Sequence, residues 1–245
     1  MEKNWLERTE LLVGASHLEK FTHSNILVVG LGGVGSYAAE FIARVGVGHM
    51  TIIDGDTVDI TNINRQLPAT HETIGQGKAK LMGERLQAIN PKVVLTVVNE
   101  FLQPERMDEI ISGGNFDYVL DCIDSVTPKL NLIMACSNHN VPIISSMGAG
   151  GKLDPSKIRV VDISKTQIDP FALQIRKQLK RRGMQPKGFP AVYSDEPVIA
   201  SSLRMTDGTN FKKSFYGTIS YIPALFGLNM AAYVIRDMMK KFDKL

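Results

Sequence analysis

The sequence has little cysteine. Its 245 residues include two cysteines, Cys122 and Cys136, too few for a disulfide framework and too far apart for the paired Cys-x-x-Cys motifs of a zinc site. This usage is typical of a reducing compartment, so we expect a cytoplasmic location. The N-terminus is polar and lacks the apolar core of a signal peptide.

A long uninterrupted apolar run is also missing. The most apolar late stretch, residues 219–235, is broken by Pro223, Gly227 and Asn229. It is short for a bilayer span, so we interpret it as part of a buried helix and expect no stable membrane insertion. With 44% hydrophobic residues, 22% charged residues and a net charge of +3, the chain has the composition of a globular protein, and its weak positive charge is only a slight indication of a polyanionic partner.

A glycine-rich turn follows the first predicted strand. The strand covers residues 25–29, and Gly30, Gly32 and Gly35 follow with Gly-x-Gly-x-x-Gly spacing, with Gly33 between them. Glycine permits a sharp turn and lets phosphates approach the backbone, and the N-terminus of the next helix favours anions. The pattern predicts a nucleotide site, although such turns also occur where a strand and a helix simply pack together.

An acidic residue ends the second predicted strand. This residue, Asp54, lies about 20 residues beyond the glycine turn, where nucleotide-binding folds carry the carboxylate that binds ribose hydroxyls. A long polar loop follows and contains Asp56, Asn62, Arg65 and Gln66. A dehydrogenase would usually enter its next helix directly, so we expect part of the chemistry to lie on this loop.

Two later segments add charge to the predicted site. Lys78 opens a predicted helix and can point at phosphates, the alternative being a lysine exposed to solvent. The fourth predicted strand ends in Asp121, and Asp124 and Ser125 follow before the next helix. Because open α/β sheets bind ligands at the carboxyl ends of their strands, one of these two carboxylates can hold Mg²⁺, which takes oxygen ligands and often bridges phosphates.

Strands and helices alternate up to about residue 151, and then the pattern changes. The alternation predicts an α/β fold with a Rossmann-like, mainly parallel sheet flanked by helices. We divide the chain into an N-terminal helical segment (1–24), a nucleotide-binding core (25–151) and a C-terminal mixed extension of the same domain (152–245). Within the extension we predict an antiparallel strand (158–163), a helix (171–179), a loop-like region (183–217) and a closing helix (219–241).

Two surface segments have more than one interpretation. In the N-terminal helices, we predict an apolar side made of Leu6, Leu11, Leu12 and Leu18, with Arg8 exposed among them. In the extension, the basic run of Lys177, Lys180, Arg181, Arg182 and Lys187 is either a solvated helix end or a contact to nucleic-acid phosphates.

Five ordered motifs resemble the ThiF/MoeB/HesA superfamily of adenylate-forming enzymes, which are related to ubiquitin-activating enzymes. They are Gly30-x-Gly32-Gly33-x-Gly35, Asp54-Gly55-Asp56, Asn62-x-x-Arg65-Gln66, Gly75-Gln76-x-Lys78 and Asp121-Cys122-Ile123-Asp124. The resemblance implies that ATP and Mg²⁺ are cofactors. It implies that Asp54 binds ribose, that Asn62, Arg65 and Lys78 bind phosphates, and that Asp124 binds Mg²⁺. It further implies a homodimer in which Arg8 reaches the ATP of the neighbouring subunit.

Within this superfamily, the second half resembles the tRNA threonylcarbamoyladenosine dehydratases. The resemblance lies in residues 146–158, 162–166 and 169–170, and the Cys-x-x-Cys pairs usual in sulfur-carrier adenylyltransferases are missing. It implies that the substrate is a tRNA carrying threonylcarbamoyladenosine, whose carboxylate is adenylated by ATP and then cyclised. The basic run would hold this tRNA.

Two other functions stay open at this point. The first is an adenylyltransferase that activates the C-terminal carboxylate of a ubiquitin-like sulfur carrier, because it shares the whole ATP site. The second is a nucleotide-binding protein or dehydrogenase, which the polar loop disfavours. Some of the dehydratases have a cysteine in the segment matching residues 189–196, and this chain has none there. A thioester relay through that segment is therefore doubtful, a sulfur-transfer partner protein stays open, and we interpret both cysteines as packing residues.

Overall fold

The computed structural model describes residues 4–206 and 214–244. In chain order, the helices are α1 (Glu7–Val13), α2 (Ala15–His23), α3 (Gly35–Arg44), α4 (Lys78–Ile89), α5 (Pro104–Gly113), α6 (Val126–Asn138), α7 (Pro170–Arg181) and α8 (Tyr221–Phe242). The strands are β1 (Asn25–Val29), β2 (His49–Ile53), β3 (Val94–Val98), β4 (Tyr118–Asp121), β5 (Ile143–Ser146), β6 (Ile158–Asp162), β7 (Pro190–Ser194), β8 (Leu203–Met205) and β9 (Ser214–Tyr216).

Within the described residues, seven strands form one sheet in the order β3-β2-β1-β4-β5-β7-β6. All neighbouring pairs are parallel except β6 and β7, which are antiparallel. The mainly parallel, Rossmann-like α/β fold and the antiparallel β6 are therefore confirmed. Strands β2 and β3 follow one another on one side of β1, and β4 lies on the other side of β1. The direction in which strands are added therefore reverses between β1 and β4. Such a reversal opens a crevice at the carboxyl ends of the two strands.

Helices cover both faces of the sheet, and β1 shows how its side chains are shared between them. Ile26 and Val28 are buried with residues of α3, α4 and α8, whereas Leu27 and Val29 are buried with residues of α5, α6 and α7. Successive side chains of a strand point to opposite faces, so a strand that is covered on both sides is apolar throughout.

The closing helix α8 packs directly on the beginning of α3. A Cβ atom added at Gly227 would lie 2.3 Å from the carbonyl oxygen of Val34, so only glycine allows this approach of the two helices. Pro223 lies in the first turn of α8, where a proline costs no helical hydrogen bond. Among the described residues, none of the helices is both long and apolar enough to cross a membrane.

The prediction of a loop-like region over 183–217 is wrong in two places. Strand β7 lies inside the main sheet, between β5 and β6, and β8 pairs with β9 as a separate hairpin. Residues 207–213 of this region lie outside the described residues. The flanking glycines and prolines obscured β7, although Pro190 is its first residue, a strand position that tolerates proline.

The predicted apolar side of the N-terminal helices is also wrong in part. Leu6 and Leu18 are buried, but Leu11 and Leu12 are 82% and 87% exposed. The chain turns at Gly14, which has a φ of 86°, so α1 and α2 are two helices and the apolar spacing does not continue across them.

Candidate active site

The glycine turn lies in the crevice between β1 and β4. Gly30 has a φ of 89°, which favours glycine, and an added Cβ there would lie 3.0 Å from the carbonyl oxygen of Cys122. At Gly35 an added Cβ would lie 1.7 Å from the carbonyl oxygen of Gly30. At Gly32, by contrast, an added Cβ would make only an ordinary contact of 3.6 Å with Gln66. Gly30 and Gly35 are thus required for the turn itself, whereas a Cβ at Gly32 would meet no steric clash.

Asp54 links the glycine turn to the end of β2. Its carboxylate accepts hydrogen bonds from the backbone N–H of Leu31 at 2.6 Å and from that of Asp56 at 2.8 Å. Burial raises the pKa of Asp54, and these two backbone hydrogen bonds oppose the rise. A carboxylate held in this way has lone pairs left for ribose hydroxyls.

A capping box fixes the start of the polar loop. Asp59 accepts a hydrogen bond from the backbone N–H of Thr61 at 2.8 Å, and Asn62 Oδ1 accepts one from the backbone N–H of Asp59 at 3.2 Å. Asn62 is buried as a result. Our sequence analysis missed Asp59 as a positioning residue, although its spacing from Asn62 is that of a capping box.

Arg65 is held over the same loop. Its Nη1 donates to the carbonyl oxygen of Thr61 at 2.7 Å and to Asn64 Oδ1 at 2.8 Å. Burial lowers the pKa of Arg65, and the nearby carboxylate of Asp124 is the largest effect opposing it. The carboxylate of Asp124 is therefore close enough to Arg65 to affect its pKa.

Gln66 lies against the glycine turn. Its Nε2 is the nearest atom to the position of a Cβ at Gly32, and its Oε1 is buried with no hydrogen-bond partner within residues 4–206 and 214–244. A buried unpartnered acceptor is costly unless something binds it, so this amide is placed to contact a ligand.

Lys78 is not exposed to solvent, so that alternative is wrong. Its side chain is 6% exposed, and its Nζ lies 2.9 Å from Asp56 Oδ2. Because Lys78 is the first residue of α4, its charge adds to the positive end of that helix. Asp56 thus holds the Lys78 ammonium close to Asp54 in the site.

The two carboxylates after β4 have different environments. Asp121 is fully buried, and its Oδ2 accepts hydrogen bonds from Lys129 Nζ at 2.7 Å and Ser145 Oγ at 2.6 Å. Its Oδ1 accepts one from the backbone N–H of Ile123 at 3.1 Å, which fixes the turn toward Asp124. Asp121 is therefore not open to a metal, while Asp124 is exposed and Ser125 precedes the first residue of α6. The burial of Lys129 was not predicted. The sequence feature that indicates it is a lysine on an otherwise apolar helix face.

The donor set around Asp124 fits Mg²⁺ bound together with a nucleotide. Within the described residues, no three His, Cys, Asp or Glu side chains are grouped so that they could hold a metal. Mg²⁺ commonly takes only one or two carboxylates, with phosphate oxygens and water as its other ligands. A single exposed carboxylate beside Arg65 meets that requirement.

Arg8 is not brought to the site of its own chain. It is exposed on α1, and α1 follows Leu6, which packs against Gly46 just beyond the C-terminal end of α3. The glycine turn lies at the opposite end of α3. In the part of the chain that the structure describes, Arg8 forms no hydrogen bond or ion pair with the site residues.

The two cysteines are packing residues in the structure. Cys136 is buried on α6, and Cys122 Sγ lies 3.8 Å from Met230 Sδ. Burial raises the pKa of both thiols. Residues 189–196, the segment in which some of the dehydratases have a cysteine, consist mainly of the buried strand β7. This segment is therefore not a loop at the surface.

The sequence matches the ThiF family over residues 6–243. It is 38% identical to tRNA threonylcarbamoyladenosine dehydratase of Bacillus subtilis (strain 168), over 96% of this chain and 95% of that protein. The fold superposes on a crystal structure of E. coli tRNA N6-threonylcarbamoyladenosine dehydratase in complex with ATP with a TM-score of 0.87. The two sequences are 36% identical, and the match covers 98% of this chain and 95% of that one. The chain is also 39% identical to molybdopterin-synthase adenylyltransferase of Salmonella typhimurium, but over only 52% of this chain and 50% of that protein. The chain therefore belongs to the ThiF family.

Proposed function

We propose that the protein is an ATP-dependent tRNA threonylcarbamoyladenosine dehydratase. The observation that carries this proposal is the extent of the similarity, which covers 96% of the chain for the B. subtilis dehydratase. The similarity to the adenylyltransferase covers about half of the chain, as expected if the two kinds of enzyme share an ATP site and differ elsewhere. The related E. coli dehydratase binds ATP, which supports ATP as the cofactor here.

The reaction has two steps. A carboxylate oxygen of the threonylcarbamoyl group bonds to the α-phosphorus of ATP, and pyrophosphate leaves. The amide nitrogen or oxygen of the same group then attacks the acyl carbon, AMP leaves with the carboxylate oxygen, and one proton is released. The net change is the loss of one water, whose oxygen ends on AMP. The attacking carboxylate is already ionised at neutral pH, so the first step needs no general base.

The roles of the site residues follow from charge. Arg65 and Lys78 bind the phosphates and stabilise the negative charge that builds on them during transfer. Asn62 orients the phosphates, Asp54 orients the ribose, and Gln66 contacts the nucleotide through its side-chain amide. The turn residues Gly30, Gly32, Gly33 and Gly35, together with Asp56 and Ser125, complete the wall of the site.

Mg²⁺ would be held by Asp124 together with the phosphates. When bound, it supplies positive charge that neutralises the phosphate oxygens. Asp124 also lies next to Arg65, whose pKa its charge affects.

A homodimer would complete each site with Arg8 of the partner subunit. Arg8 is exposed on α1, a helix without buried residues, and the adjacent Leu11 and Leu12 are almost fully exposed. Two neighbouring exposed leucines favour a protein contact at this surface. The dimer would cover them and carry Arg8 to the other subunit's ATP.

The tRNA would bind along the basic surface of α7. A groove of about 450 Å³ runs between α7 and the loop before β7, and it is lined by four cationic side chains, Arg176, Lys177, Lys180 and Lys187. Arg176 Nη1 donates to Thr166, which fixes its direction. Such a surface suits a phosphate backbone. A tRNA substrate supports the expected cytoplasmic location.

A sulfur-transfer partner protein would not need a cysteine of this chain. Because burial raises the pKa of Cys122 and Cys136, little of either thiol is ionised at neutral pH. A thioester on this chain is therefore disfavoured, since the thiolate is the nucleophile. A partner would therefore act without a covalent bond to either cysteine, and direct cyclisation from the adenylate needs none.

AMP release in vitro tests the proposal against its alternative. The purified protein, ATP and Mg²⁺ are incubated with either tRNA carrying threonylcarbamoyladenosine or a ubiquitin-like sulfur carrier ending in Gly-Gly. We expect AMP and pyrophosphate only with the tRNA. Pyrophosphate release that depends on the sulfur carrier, and not on the tRNA, would instead identify an adenylyltransferase.

A further inference from the structure

The β8–β9 hairpin is joined at its base to loops of the candidate active site. Its strands pair antiparallel, with Leu203 opposite Tyr216 and Arg204 opposite Phe215. A two-stranded hairpin is only marginally stable by itself, so its position depends on what holds its base.

The base of the hairpin is bonded to two loops of the site. Asn64 Nδ2, on the loop that carries Arg65, donates to the carbonyl oxygen of Thr218 at 2.8 Å. The backbone N–H of Gly151, after β5, donates to Gly217 O at 2.8 Å. The hairpin is therefore attached both to the phosphate-binding loop and to the carboxyl edge of the sheet.

The two faces of the hairpin differ. Tyr216 packs on the loop after β5, with its Cδ1 3.3 Å from the position of a Cβ at Gly151. Cross-strand partners share a face, so Arg204 and Phe215 lie together on the opposite one. Phe215 is 50% exposed, and Arg204 Nη1 donates to the carbonyl oxygens of Leu203 and Ser201, its neighbours in the chain.

We propose that Arg204 and Phe215 bind a nucleotide that adjoins the modified adenosine in the tRNA, with Phe215 stacked on its base and Arg204 bound to its phosphate. An exposed aromatic ring beside a guanidinium is the combination that binds unpaired nucleotides. The inference rests on the proposed function, because a tRNA nucleoside in this site must bring its neighbours against the surrounding surface. RNA is favoured over a protein occupant because the hairpin is bonded to the loop that carries Arg65 and has a cationic residue and an aromatic ring on the same face.

Three substitutions at one position separate stacking from apolar contact. Affinity for an anticodon stem-loop carrying threonylcarbamoyladenosine is measured by fluorescence anisotropy. We expect Phe215→Ala and Phe215→Leu to weaken binding about tenfold or more, and Phe215→Tyr to bind like the unaltered protein. Phe41→Ala, which removes another exposed ring on α3, is the matched control and should change nothing. The affinity for ATP, measured by calorimetry, should stay the same in all four variants.

The role of Arg204 is tested by salt. Loss of one phosphate contact to a single strand should reduce the slope of log affinity against log salt concentration by about 0.7. We expect this change in Arg204→Gln and not in Phe215→Ala.

Several results would overturn the inference. They are unchanged RNA binding by Phe215→Ala, equal binding by Phe215→Leu and Phe215→Tyr, and an unchanged salt slope for Arg204→Gln. If Phe215→Ala instead changes the oligomeric mass in light scattering, the hairpin binds a second copy of the chain. These outcomes leave the proposed function intact, whereas failure of the unaltered protein to release AMP with the tRNA would overturn both.

Discussion

Arg65 is fixed by hydrogen bonds to Thr61 and Asn64 at the rim of the crevice, so its substitution removes charge from the site without opening the core. We expect Arg65→Ala to lower the rate of adenylate formation by about 100-fold or more, because a preorganised cation that faces developing phosphate charge is lost. Pyrophosphate exchange measures the rate, and circular dichroism should show an unchanged fold. Arg106→Ala, at an exposed arginine of α5, is the control and should retain full activity. Near-normal exchange by Arg65→Ala would refute its assignment.

The thiols provide a second test at the residue scale. Burial raises the pKa of Cys122 and Cys136, so the reactive thiolate is scarce at pH 8. We expect both to react with a thiol reagent far more slowly in the native protein than after unfolding in guanidinium.

The same reasoning makes a prediction for catalysis. The double variant Cys122→Ala/Cys136→Ala should still convert the modified tRNA, because neither thiol is required for the two proposed steps. Trapping of a thioester on either cysteine, or loss of turnover in a variant that remains folded, would show a covalent relay.

The assignment of Asn62, Arg65 and Lys78 to the site rests on short motifs that resemble those of the superfamily, and it stays a prediction. The burial of Lys78 and the pair of Asp121 with Lys129 were not predictable in the same way. Both depend on which side chains meet across the fold. The residue pattern alone does not distinguish Asp121 from Asp124, and only the structure shows that Lys129 and Ser145 bond to Asp121 in the core.

At the scale of elements, α8 supports the glycine turn through its contact with α3. We expect Gly227→Ala to destabilise the protein by about 1–3 kcal/mol, although alanine favours a helix, because the new methyl would overlap the carbonyl of Val34. The affinity for ATP should fall as well, since Val34 lies within the turn. Urea unfolding and calorimetry measure the two effects. Gly113→Ala, where an added Cβ on α5 meets nothing within 4 Å, is the matched control, and equal effects of both would exclude a role for this packing.

The elements that alternate regularly and the closing helix α8 were predictable, and the strands between residues 183 and 217 were not. The limits of strand β1 and the end of strand β4 at Asp121 were predicted as observed because apolar runs covered on both faces have clear ends. Strand β7 is short and flanked by glycine and proline, and its place beside β5 comes from long-range pairing of Ser145 with Ala191. Local sequence does not contain that pairing.

At the scale of the whole molecule, the proposed dimer places Arg8 of one subunit in the site of the other. Arg8→Ala and Lys78→Ala should each be inactive alone as homodimers. A mixture that exchanges subunits should recover activity, because a mixed dimer contains one site with both residues intact. If half of the mixed population is heterodimeric, about one quarter of the sites are restored. No recovery in verified mixed dimers would show that Arg8 does not act across the interface.

The central claim is that this chain removes water from threonylcarbamoyladenosine in tRNA. The most direct measurement is mass spectrometry of tRNA nucleosides from cells that lack the gene, compared with the same cells expressing it again. We predict that the cyclic nucleoside disappears, that the open form accumulates, and that both changes reverse with the intact gene but not with the Arg65→Ala variant. An unchanged ratio of cyclic to open nucleoside in the cells lacking the gene would contradict the account.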